Sequence, residues 1–466
     1  MQRRALLACF ALITSGAACD GSSDEVAASP KPASPLAQEV DTQLTYYKDA
    51  KPILEEKCAQ CHTKGGMGVF SLETYKQVKP LAAAIKGAVE DGVMPPWRAH
   101  GPMDQYQNDR RLTDDQKSKL LGWIDQGAAE GDPKDEPPDL PKGRRGLPRV
   151  DLSLKIQEPF TPTDEDTDDY RCFPLDWQFD KTQYVTGLSI EPGNKELVHH
   201  GIVYLVSPEG AARVRQNDAA DPKLGYECMG GPGSWLTSYE PGGYGEANPG
   251  NVAFELRPGS MLVLQMHYNT LRAKGTDRTR VDVMLTEKAD RVGSVHLIMN
   301  PSWPGRRMAI PANQKDVMHR WEGRPSGLAK NGTYELFWAD LHAHTRATST
   351  KMGIIRAEGG ELVNLLDIPE YAFDWQETFN FTKPVILHPN DKLYVECIFD
   401  NTAENQPIVK GVRQPVKNVN WGERTTDEMC LGNVLADRLP DPEPPAVDSD
   451  SDSDSDEDEY EDEYEE

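Results

Sequence analysis

The amino-acid sequence predicts a mainly β protein, with two antiparallel sandwiches in tandem preceded by a small α-helical domain. Short runs rich in β-branched and aromatic residues recur between Gly/Pro turns: Tyr184–Ile190, Leu197–Val206, Met261–Tyr268, Val281–Thr286, Tyr334–His342 and Lys392–Phe399. Long amphipathic helices are missing from the same region, the texture of an antiparallel sandwich. The region is too long for a single sandwich, so it divides near Asn300–Pro301 into residues 150–300 and 301–436. Helical periodicity is confined to residues 44–132.

Within that domain Tyr47, Ile53 and Leu54 follow a helical spacing, and a second helical pattern covers Leu72 to Glu90. A third opens with the capping box Thr113-Asp114-Asp115-Gln116, sets Leu120, Leu121 and Ile124 on one face, and stops at Gly127. A Pro- and charge-rich linker, residues 133–149, leads into the β region.

Charge narrows the function. The 466 residues carry a net charge of -26, and 13 acidic residues fall between Asp448 and Glu466, so half of the excess sits at one end. Residues 437–466, with their Ser-Asp repeats, read as a disordered, solvated tail. No basic stripe offers a phosphate-binding face, which excludes nucleic acid as the main partner. No apolar run reaches the ~18–20 residues of a membrane span.

The N-terminus reads as a targeting segment. Arg3 and Arg4 precede the apolar stretch Ala5 to Ala18, the pattern of a signal peptide over residues 1–18. Its end, Gly16-Ala17-Ala18-Cys19, resembles a bacterial lipobox, with Gly16 where the pattern usually has Leu. That makes Cys19 the candidate for lipidation, and residues 19–43 a flexible tether. The alternative is ordinary cleavage after Ala18. Both readings place the mature protein outside the cytoplasm, in the periplasm or on the envelope surface, touching a membrane only through the lipid.

Of the eight cysteines, Cys9 leaves with the signal and Cys19 is the lipid candidate. Cys58 and Cys61 belong to Cys58-Ala59-Gln60-Cys61-His62, the C-x-x-C-H pattern of c-type haem attachment. There the two thiols form thioethers and His62 is the proximal iron ligand. Met94, in Val93-Met94-Pro95-Pro96-Trp97, is the candidate sixth ligand, with Met67, Met103 and His100 as rivals. The domain is similar to cytochrome c in size and layout. Cys172, Cys228, Cys397 and Cys430 remain, an even number suited to two disulfides in an oxidising compartment.

Five of the ten histidines fall in three strand-like motifs. His199-His200 are adjacent, so on a regular strand they point to opposite faces. They meet one metal only if the backbone bends or they use different ring nitrogens. His267 follows in Gln265-Met266-His267. His342 and His344 are two apart and share a strand face, the natural spacing for a ligand pair. A lone strand histidine is more often a hydrogen-bonded core residue, but a doublet plus an i,i+2 pair is a stronger pattern. Imidazole alone does not choose among Zn, Cu, Fe and Ni.

The order His-His, Gln-x-His, His-x-His and then Asp427-Glu428-Met429-Cys430 resembles that of the copper type II ascorbate-dependent monooxygenases, the family of dopamine β-hydroxylase and peptidylglycine α-hydroxylating monooxygenase. His388-Pro389-Asn390-Asp391, followed by Cys397-Ile398-Phe399, looks especially like the dopamine-type enzymes. The resemblance covers roughly residues 169–433 and implies two tandem jelly-roll sandwiches. It implies an electron-transfer copper at His199, His200 and His267, and an oxygen-activating copper at His342, His344 and Met429. A thioether favours Cu(I) and disfavours zinc. The resemblance also implies disulfides Cys397–Cys430 and Cys172–Cys228.

Two departures stand out. Where the peptide-cleaving relatives hold the substrate carboxylate with an arginine, this chain has Asp340, which makes a glycine-extended peptide a poor substrate and a cationic amine an alternative. The haem domain is the other. The expected activity is O2-dependent hydroxylation of a C–H bond in a small molecule. An external donor would supply electrons and the haem would feed the first copper. A non-catalytic haem–copper electron carrier or copper-handling protein, and a zinc-dependent hydrolase, are the rivals.

Overall fold

The structure, a computed structural model, describes residues 43–440 apart from 65–67, 140–145, 164–167, 229, 240–244, 271–272, 374 and 410. The signal segment, Cys19, Met67 and the acidic tail lie outside the described residues.

The helical domain carries α1 (Lys51–Lys57), α2 (Ala82–Glu90) and α3 (Asp114–Asp125). The capping box forms as its sequence requires: Thr113 Oγ1 accepts from the Gln116 amide at 3.1 Å, and Gln116 Oε1 accepts from the Thr113 amide at 3.0 Å. Pro80 interrupts the predicted Leu72–Glu90 helix, leaving a short turn over Tyr75–Val78 and a tighter one over Lys79–Leu81 before α2. Tyr46, Ile53, Leu54, Val89, Leu120 and Trp123 form the buried core of this domain.

The first β half has two antiparallel sheets. One runs β1 (Leu152–Lys155), β7 (Arg280–Thr286), β3 (Gln183–Glu191); the other runs β2 (Asp168–Pro174), β6 (Met261–Asn269), β4 (Val198–Val206), β5 (Ser234–Tyr239). Apolar side chains of both sheets, among them Val281, Leu188, Val203 and Leu264, share one core. The sequence pattern missed α4 (Pro208–Ala220), which packs against this half. Only Ala211 and Val214 on it are buried, so its apolar stripe is too thin to register as a period.

The second half pairs the sheet β8 (Gly293–Ile298), β15 (Cys430–Arg438), β10 (Tyr334–Ala343), β13 (Phe379–Leu387) with the sheet β9 (Val317–Gly323), β14 (Lys392–Phe399), β11 (Ala347–Ile355), β12 (Leu362–Ile368). The chain enters this half ahead of Asn300–Pro301, because β8 already pairs with β15. Phe337, Trp338 and Leu435 of the second half join the core of the first, which presses the two halves together.

The helical domain is held by more than its linker. Residues 97–107 run across the second half. The His100 amide donates to Asp367 O at 2.7 Å, the Gln107 amide to Asn380 O at 2.7 Å, and the buried Tyr106 hydroxyl to Leu365 O at 2.8 Å.

Candidate metal centres

The first centre depends on a bulge. Along the β4–β6 pairing Val198 stands opposite Tyr268 and His200 opposite His267, so His199 is one extra residue inserted in the ladder register. One inserted residue removes the alternation that would send adjacent side chains to opposite faces. The Nδ1 atoms of His199 and His267 each lie 3.3 Å from Nδ1 of His200.

Asp168, on β2, fixes which ring nitrogen is available. A carboxylate only accepts, so His267 Nε2–H donates to Asp168 Oδ1 at 2.8 Å and Nδ1 keeps its lone pair toward the cluster. Tyr170 stacks on His267 with ring centroids 4.1 Å apart, and Phe373 stacks on His199 at 4.8 Å. Burial, with the neighbouring imidazoles, holds His200 well below the usual histidine range. Burial also brings His267 down to about 4, although Asp168 pulls the other way. His199, His200 and His267 each offer a ring nitrogen, all within 4.8 Å of one another, and a set of three imidazoles fits a borderline metal.

The second cluster presents the opposite ring nitrogens. His342, at the end of β10, donates from Nδ1 to Gln376 Oε1 at 2.6 Å, and His344 from Nδ1 to Asp427 O at 3.3 Å. Both Nε2 atoms are therefore the free donors. Glu428 is fully buried and ties the turn after β10, accepting from the amides of His344 at 3.0 Å and Arg346 at 2.7 Å. Burial pushes its carboxyl up to about 8. Ala343 pairs with Cys430, which carries Met429 to the same end of the sheet. His342, His344 and Met429 line one cavity of about 320 Å³, and His200 lines it too. Two imidazoles with a thioether suit Cu(I).

Both disulfides form as the resemblance implied, Cys172–Cys228 and Cys397–Cys430. The second adjoins Met429 and braces the strand end that presents it.

The cavity walls include Tyr170, Tyr204, Trp235 and Trp421. Asp340 does not line it. Its Oδ1 accepts from Asn433 Nδ2 at 2.8 Å, and Asn433 is the residue that faces the cavity. Burial pushes the Asp340 carboxyl up to about 7. The acid that lines the cavity is Glu423, also pushed up to about 7 by burial and then by Asp427. Sequence reasoning missed Glu423, Asp168 and Gln376, none of which belongs to a histidine motif.

In the helical domain the Cys61 and His62 amides both donate to Cys58 O, which folds the C-x-x-C-H motif into a tight turn at the end of α1. Neither Cys58 nor Cys61 is in a disulfide, and burial pushes Cys58 up to about 12. His62 Nδ1 donates to Phe70 O at 3.1 Å, so Nε2 is the nitrogen free for iron. Val69, Phe70, Val93 and Met94 leave apolar surface exposed, Val69 at 95 % and Met94 at 39 %. Two cysteines outside any disulfide, an oriented imidazole and uncovered apolar side chains in one domain fit a covalently held porphyrin. The His100 amide is tied to β12, on the second β half.

Residues 297–435 match the family model described as copper type II ascorbate-dependent monooxygenase, C-terminal domain. The span holds His342, His344 and Met429. Among solved structures, the chain is similar to the major capsid protein P2 of bacteriophage PM2 at 6 % identity and TM-score 0.24, covering 62 % of this chain and 96 % of that one. It is similar to PNGF-II at 10 % identity and TM-score 0.24, covering 61 % of this chain and 65 % of that one. Overlaps of this size carry no argument about fold or function.

Proposed function

We propose that the protein is an exported copper monooxygenase that hydroxylates a C–H bond of a small organic substrate, with a c-type haem on its helical domain as electron donor to the copper sites. One observation carries this reading: His200, from a cluster of three imidazoles, lines the same cavity as His342, His344 and Met429, a donor set of different chemistry. An electron carrier has no use for the second set or for a substrate-sized cavity beside it.

Copper, when bound, stores one electron at each centre and supplies the chemistry of dioxygen activation. The protein does the rest. His199, His200 and His267 hold one ion, with Asp168 fixing the His267 tautomer. His342, His344 and Met429 hold the other, with Gln376 and Glu428 fixing ring and backbone. The aromatic walls contact the carbon skeleton of the substrate, and Glu423 stands beside them for a polar group. Hydroxylation consumes one O2, two electrons and two protons, and releases one water. Two jelly-roll sandwiches and an N-terminal lipid anchor complete the proposal, and two disulfides accord with an oxidising compartment.

The test is a metabolite screen with copper-loaded protein and 18O2. A product that gains one labelled oxygen, and is lost in Met429→Ala, supports the reading. Reversible redox cycling of copper with no labelled product from any substrate class would identify an electron carrier instead.

A further inference from the structure

The haem-binding motif and the second copper centre are stitched together by three side chains. Arg110 lies largely buried between the rings of Trp97, at 5.0 Å, and Trp375, at 5.7 Å. Its Nε donates to Pro96 O at 3.0 Å, two residues beyond Met94, and its terminal nitrogen to Glu377 Oε1 at 2.6 Å. Cys61, Arg110 and Glu377 line one cavity of about 120 Å³ between the helical domain and the β halves. The residue before Glu377 is Gln376, whose Oε1 accepts from His342 Nδ1 at 2.6 Å. One cavity, one ion pair, one peptide unit and one hydrogen bond therefore separate Cys61 from a ligand of the second centre.

A buried ion pair is weak evidence for stability, because desolvation offsets most of its attraction. Placement is the better explanation here. We propose that electrons from the haem reach the copper cavity at its His342 end, along Arg110, Glu377 and Gln376. This rests on the haem-to-copper reading above, but replaces the first copper with the second as the acceptor. The step is a one-electron transfer: the haem iron goes from Fe(II) to Fe(III) while copper goes from Cu(II) to Cu(I). No proton moves. In this role Arg110, Glu377 and Gln376 are positioning residues.

The test uses the full chain with haem and Cu(II), reduced at the haem by a photoexcited flavin, with haem oxidation followed by absorbance. The intramolecular phase is expected to survive in His199→Ala/His200→Ala and to vanish in His342→Ala/His344→Ala. Glu377→Ala is expected to slow it roughly tenfold while the haem spectrum and copper content stay unchanged. A phase that survives the second-centre variant and vanishes in the first-centre variant overturns the route and leaves the haem-to-copper reading standing. Wild-type protein that holds both haem and copper but shows no intramolecular phase overturns both.

Discussion

The imidazole rings of His200 and His342 lie 6.3 Å apart, centroid to centroid, although they belong to different β halves and different donor sets. Charge on one is therefore felt by the other, and His342 and His344 both help to hold His200 in its neutral form.

That coupling sets the acid response. Burial brings His267 and His342 down to about 4 and moves His200 and His344 the same way. The unfolded chain has histidines near 6.5, so it binds more protons than the folded protein as pH falls through that window. Their contribution to stability is complete above pH ~6.5 and declines at ~1.4 kcal/mol per pH unit for each histidine below it. The buried carboxyls of Asp340 and Glu423, pushed up to about 7, and of Glu428, pushed up to about 8, act in the opposite sense, so the histidines are followed one by one: an NMR titration of the copper-free protein should find the His267 and His342 rings still neutral at pH 5.5. Rings that gain their protons near pH ~6.5 would refute the description of a buried neutral cluster.

Asp168→Asn keeps the size of the side chain but lets His267 take either tautomer. Copper affinity at the first centre should drop roughly 10–100-fold, with the second centre unaffected. Competition titration with a Cu(I) chelator reads both sites. Equal affinity in wild type and variant would show that the carboxylate plays no part in orienting His267.

Charge selection in the cavity falls to Glu423, because Asn433 stands between Asp340 and the cavity. Glu423→Gln should raise KM for cationic amines relative to neutral analogues, whereas Asp340→Asn should shift the two together. A selective loss on amines in the Asp340 variant alone would reverse that assignment.

Opening the Cys397–Cys430 bridge, which closes a loop with a sequence separation of 33, should cost about 4 kcal/mol by loop entropy. It should also weaken Cu(I) binding at the second centre, because Cys430 follows Met429. Calorimetry and Cu(I) titration of Cys397→Ser/Cys430→Ser check both. Full Cu(I) affinity in the open form would separate the bridge from the site.

Much of this was legible in the sequence where the signal is local. The strands bearing His267 and His342 alternate or run apolar, the Thr113 capping box spans four residues, and C-x-x-C-H is contiguous. What escaped is what distant segments decide. Asp168 meets His267 across a separation of 99 residues, and Gln376 meets His342 across 34. The path of residues 97–107 over the second half follows a loop with no period, and its hydrogen bonds are mostly to backbone, which no composition announces. Asp340 looked well aimed because strand alternation gives a face but not the partner opposite, and here the partner is Asn433.

The insertion of His199 into the register of β4 also separates folding from metal capture. Deleting the single residue Val198 would let the strand regain regular alternation without touching the Cys172–Cys228 bridge or the opposing sheet. The two imidazoles would then project to opposite faces, one of them into the hydrophobic core. The centre therefore depends on strand register as well as on the identity of its histidines.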